Sequence, residues 1–168
     1  MCKNNPPYDP ISVANFFIDK ATEENEKISP MKLQKLVYFA HGVYLVAKDK
    51  PLINVDIEAW TYGPVIPKLY HTFKIYGKDN IEKPWMPKEY YIPKEHKDTL
   101  KVLNLVWDAF GHMTAFQLSS LTHIPESPWS KVKEETQPSS ILLKNLLSGI
   151  AIDDTLIKEY FSTIVKMN

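Results

Sequence analysis

The chain has 168 residues, 44% of them hydrophobic and 12% aromatic; this excludes a disordered tail and fits one packed domain burying roughly 70% of its unfolded surface. Its 20 acidic residues are balanced by 20 basic ones, every one a lysine. It therefore has no guanidinium to fork onto a guanine edge or to serve as an arginine finger, which weighs against a stand-alone DNA reader and against phosphoryl transfer.

Cys2 is the single cysteine, so no internal disulfide framework is expected and a reducing compartment fits. No basic-then-apolar leader opens the chain, and no apolar run is long enough to cross a bilayer. A soluble, cytoplasmic protein is expected.

Residues 1–8 read as a flexible N-terminus and residues 9–168 as a single domain. Asp9-Pro10 is a cap followed by a proline, and Ile11, Ala14, Phe17, Ile18 and Ala21 then recur with the period of an amphipathic helix. Ser29-Pro30 repeats that start. Leu33, Leu36, Val37, Ala40, Val43, Tyr44 and Ala47 form one face of the helix it opens, and from Leu36 onward the other faces are apolar too. A helix apolar all round belongs in the middle of a domain. Gly42 inside it suggests a closely packed neighbouring backbone. Lys32 and Lys35 read as a solvated first turn.

After Asp49-Lys50-Pro51 the period changes to two, with Ile53, Val55, Ile57 and Ala59 alternating with polar residues up to Trp60. Tyr62-Gly63-Pro64-Val65 reads as a turn. Pro67 opens a short helix with a stripe of Leu69, Tyr70, Phe73 and Tyr76, stopped by Gly77. The proline-rich stretch Lys78–Pro93 is a loop or an edge strand. Lys94–Phe110 is a helix, Thr114 and Gln117 frame a capping box, and Ser127-Pro128 opens a further helix to about Glu135. Ile141–Leu147 fits helix or strand, and Asp153 caps a last helix. The expected fold is mainly α, with about six to seven helices around the central one and a small antiparallel β element near residues 52–65.

An enzyme needs a nucleophile, an acid–base pair or a metal held within reach of one another. His41, His71, His96, His112 and His123 show no metal-ligand spacing, and the glycines are too scattered for a phosphate loop. No catalytic, cofactor-binding or metal residue is assigned. Thr122-His123 and Pro128-Trp129 fit a helix–turn–helix corner that pairs free backbone groups, with Trp129 plugging the core. They also fit a shallow recognition pocket lined by Trp129 and His123. Trp60 and Tyr62 have two placements: under the aromatic loop Trp85–Tyr91, or exposed as binding anchors. The candidate protein-binding set is Trp60, Tyr62, Gly63, Pro64, His123 and Trp129.

The run KLQKLVYFAHGVYL with IEAWTYGPVIPKLYHTFKIYG, and LSSLTHIPESPWSKV further on, resembles the Panacea domain, the SocA-like antitoxin or GepA-like phage-associated family. The resemblance covers about Val13 to Phe161. It implies an antitoxin that neutralises the toxin encoded beside it by direct protein contact. Toxins of the family are diverse and include alarmone-synthetase-like enzymes. The resemblance also implies a second mode, in which the antitoxin is an adaptor handing its toxin to an AAA+ protease, and an occurrence in prophages. The alternative is a DNA-associated operon or prophage regulator without enzymatic activity.

Overall fold

Most helices begin where a short polar side chain meets a proline or an orphan amide. Asp9 accepts a hydrogen bond from the Ile11 amide and opens α1, Pro10–Glu23. Ser29 accepts from the Lys32 amide and opens α2, Pro30–Lys48. Pro67 begins α3, Pro67–Phe73, which tightens into one 3₁₀ turn, Lys74–Tyr76. Then come α4, Lys97–Phe110, and α5, Ala115–Thr122, the latter opened by a complete Thr114–Gln117 capping box. Ser127 accepts from the Ser130 amide to open α6, Pro128–Glu135. Asp153 Oδ1 accepts from the Thr155 amide at 2.7 Å ahead of α7, Asp154–Val165. Each cap satisfies a donor that the first turn of a helix leaves free. The computed structural model describes residues 5–85, 89–136 and 149–165. The apolar run Ile141–Leu147 and Cys2 lie outside the described residues.

The expected mainly α fold is what forms, with seven α-helices and one two-stranded antiparallel hairpin among the described residues. Helix α2 lies at its centre, touching α1, α3, α4, α5, α7 and the hairpin. Leu36, Val37 and Ala40 on it are wholly buried. Phe39 stacks on Phe110 of α4 with ring centroids 4.6 Å apart. Gly42 does mark a close approach, but the neighbour is a side chain and not a backbone. A Cβ there would sit 2.4 Å from the Phe161 ring of α7. His41, also on α2 and buried, bonds Asp154 through Nε2 at 2.8 Å and ties the same two helices.

The strand expected from Ile53 is shorter than its alternation. Only Glu58–Trp60 (β1) pairs with Gly63–Val65 (β2), in the register Glu58 to Val65, Ala59 to Pro64 and Trp60 to Gly63. Upstream, residues 52–54 pair instead with Tyr8, whose amide donates to Leu52 O at 2.7 Å and whose carbonyl accepts from the Asn54 amide at 2.9 Å. Tyr8 is buried there, its hydroxyl 2.7 Å from His96 Nδ1. The turn also moves. Thr61 and Tyr62 make it, whereas Gly63, Pro64 and Val65 are strand.

Candidate protein-binding site

A hairpin of two three-residue strands is marginal in water and needs support on both edges. On the β1 side, the Ala59 amide donates to Ile150 O at 2.9 Å and the Ile152 amide to Ile57 O at 2.7 Å. On the β2 side no strand follows among the described residues; two side chains of α2 take its place. The Gln34 amide group makes both bonds of a ladder rung with Ile66, accepting from its N–H at 2.9 Å and donating to its carbonyl at 3.1 Å. Lys35 Nζ donates to Tyr62 O and Pro64 O, both at 3.0 Å. Pro64 has no amide hydrogen to leave unpaired, and its polar groups face this outer edge, where proline is tolerated.

The reading of Lys32 and Lys35 as a solvated first turn is therefore wrong. They are 5% and 1% exposed. Burial pushes the Lys35 ammonium down to about 8. Lys32 is lowered as well, chiefly by burial against the opposing pull of Glu26, and its ammonium lies 6.0 Å from the Trp107 ring centroid.

The corner between α5 and α6 braces the hairpin from behind. Gly63 has φ +108°, and a Cβ on it would come within 2.7 Å of Lys35 Nζ and 2.8 Å of Thr122 Oγ1. Glycine is required there twice over, by conformation and by space. Thr122 donates to Ser119 O at 2.7 Å, and His123 Nδ1 lies 2.6 Å from the same carbonyl, which places its proton on Nδ1. Trp129 Nε1 donates to Trp60 O at 2.7 Å, with the His123 ring 4.0 Å from the Trp129 ring. The structure thus brings Trp60, Tyr62, Gly63, Pro64, His123 and Trp129 into one unit. His123 and Trp129 support the hairpin and do not line the groove in front of it.

That groove, of about 520 Å³, runs between the first turns of α2, the hairpin and α3. Trp60 is half-buried at its wall, its ring 5.0 Å from Tyr70 and its Nε1 donating to Glu58 Oε2 at 2.7 Å. Tyr62 projects at the tip, 76% exposed. Neither Trp85 nor Tyr90 lines this groove. Asn15 of α1 holds both, donating to Trp85 O and Tyr90 O at 2.9 and 2.8 Å and accepting from the Trp85 amide. The α3 stripe also divides, for Leu69 and Phe73 are buried while Tyr70 turns outward into the groove. Met31, Gln34, Lys35, Tyr70 and Lys74 belong to the site and were not picked out as such from sequence. The polar pair Gln34-Lys35 just ahead of the all-apolar stretch is the signal that points to them.

Among the described residues, no group of three or more His, Cys, Asp or Glu is placed to hold a metal. None of the described helices is long and apolar enough to cross a membrane.

Fold and site define a mainly helical domain that presents a braced aromatic hairpin beside an open groove. Residues 33–130 match the family described as antitoxin SocA-like, Panacea domain, and the chain belongs to that family. This span holds the hairpin, α3 and the corner through Trp129. The chain is similar to antitoxin SocA of Caulobacter vibrioides (strain NA1000 / CB15N), at 35% identity over 160 residues, covering 91% of this chain and 82% of that protein. No solved structure matches.

Proposed function

We propose that this chain is an antitoxin that neutralises a cognate toxin by direct contact and without catalysis, using residues 60–64 and the adjoining groove as its docking face. The family relationship supports the antitoxin role. The observation that carries the choice of face is Tyr62, 76% exposed at the tip of a hairpin whose two edges are both occupied. A partner strand has no free edge to extend, so recognition runs through side chains, with exposed aromatics as anchors.

Two variants test this. Tyr62→Ala removes a side chain that the fold does not need; it should leave the thermal midpoint unchanged while costing roughly 2 kcal/mol or more of affinity for the protein encoded beside it. Trp60→Ala should lower the midpoint, because its ring packs on Tyr70 and bonds Glu58. Full rescue by Tyr62→Ala and by Tyr70→Ala would move the docking face elsewhere. Toxin abundance in the same cells separates the modes. A constant amount indicates sequestration, and a falling amount indicates delivery to an AAA+ protease.

A further inference from the structure

The groove is chemically one-sided. Its wall contains two lysines, Lys35 and Lys74, and no aspartate or glutamate. Among the described residues neither ammonium has a carboxylate within salt-bridge distance. The nearest acid on the hairpin, Glu58, is already bonded to Trp60 Nε1. Lys35 uses two donors on Tyr62 O and Pro64 O, leaving the third hydrogen of an ammonium unassigned. The first turn of α2, the positive end of a 19-residue helix, lines the same side through Pro30 and Met31. The rest of the wall is apolar or aromatic, with Trp60, Val65 and Tyr70. Beyond it, Ile75 and Phe116 are 86% and 77% exposed, Phe116 one turn before the Ser119 that meets Tyr62 O. At the groove itself Met31, Tyr62 and Tyr70 are exposed, and exposed apolar surface at a cavity marks an interaction site.

We propose that this groove recognises an acidic segment of the toxin, in which a large apolar side chain packs between Trp60 and Tyr70 while a flanking carboxylate settles at the Lys74 end. The inference rests on the docking face proposed above and adds the chemistry of its partner. Complementary charge at the groove's rim selects the partner and its orientation, and suppresses binding of basic segments.

The test uses the full chain, labelled with ¹⁵N, and two defined peptides, acetyl-Glu-Phe-Glu-amide and acetyl-Lys-Phe-Lys-amide, with ATP as a third probe. The acidic peptide should shift the amide signals of Gln34, Thr61, Tyr70 and Lys74 at a concentration about tenfold or more below that needed by the basic one, and added salt should weaken it. Lys74→Glu, at an exposed position, should reverse the preference without changing the thermal midpoint. Equal responses to the two peptides, shifts centred away from the groove, or tighter binding of ATP would overturn the proposal, the last in favour of a nucleotide. A titration with the protein from the adjacent reading frame separates the two levels. If Tyr62→Ala abolishes that complex and Lys74→Glu leaves it intact, the docking face stands and the acidic segment fails. If that protein does not bind while the acidic peptide does, the groove chemistry stands and the toxin-binding reading fails.

Discussion

Replacing Lys35 by methionine tests whether one buried side chain holds the binding hairpin in place. Methionine matches the length of the stem and removes the ammonium. Pro64 O then loses its side-chain donor, and Tyr62 O keeps only the longer bond from Ser119 Oγ, at 3.4 Å. Each buried, unsatisfied carbonyl costs about 1–3 kcal/mol. Against this, the variant relieves the burial of a charge. The Lys35 pKa falls from 10.5 to about 8 on folding. Below 8 the side chain is charged in both states and the full cost of burying it is present; between 8 and 10.5 the unfolded state binds the extra proton, so stability contributed by this group rises with pH. From pH 7 to pH 10 that gain is about 2–3 kcal/mol at about 1.4 kcal/mol per tenfold. Near pH 7 the two effects oppose, and Lys35→Met should be only mildly destabilised. At pH 10 the relief has gone, and the gap between parent and variant should widen by about 2 kcal/mol or more. Urea unfolding of both proteins at the two pH values measures it. The double difference cancels the titration of the other lysines and tyrosines. A gap that does not change with pH would refute the reasoning, as would a variant more stable than the parent at both.

Leu36→Ala opens a cavity at a wholly buried position of α2 and should cost about 2–5 kcal/mol in denaturant unfolding; a loss under about 1 would make that helix peripheral. Gly42→Ala places a methyl 2.4 Å from the Phe161 ring, so α7 must shift; a cost of about 1–3 kcal/mol and faster amide exchange along α7 are expected. The chain, with no arginine and zero net charge, should show no sequence-specific affinity for its own upstream DNA in a titration at physiological salt. Binding that survives competitor DNA would favour the regulator reading.

The helical framework was legible because its signals are local. A capping side chain followed by proline marks Pro10, Pro30 and Pro128, and the all-apolar run marks the centre of the domain. The hairpin was legible in place but not in register. Alternation from Ile53 to Ala59 reports which side chains are buried and says nothing of which backbone pairs with which, and here Tyr8 takes residues 52–54 from the sheet. The groove was the least legible part. Tyr70 and the Trp85 segment are sorted to different sides by Asn15 and by the rotation of α3, contacts between residues far apart in sequence. Lys35 misled for a physical reason. Lysine at the first turn of a helix is ordinarily solvated, and only the missing third strand gives its ammonium two carbonyls to bond.

The same arrangement sets how binding and folding are connected. An unpaired strand edge invites association with other chains. Here the β2 edge is closed by Gln34 and Lys35, side chains of the helix that also forms the core. Closing the edge with side chains leaves the face of the hairpin uncovered, so Tyr62 and the groove stay open while the backbone beneath them is fixed. The position of the aromatic anchors is thereby referred directly to the most buried element of the domain, and a change at Gln34 or Lys35 would alter recognition without either residue being a principal contact. Preorganisation of this kind lowers the conformational entropy lost on docking. It also explains why the polar interruption of an otherwise apolar helix falls at these two positions: residues 34 and 35 are the ones that reach the hairpin edge, and an apolar side chain at 34 would leave the Ile66 amide without its acceptor, one at 35 the Pro64 carbonyl without its donor.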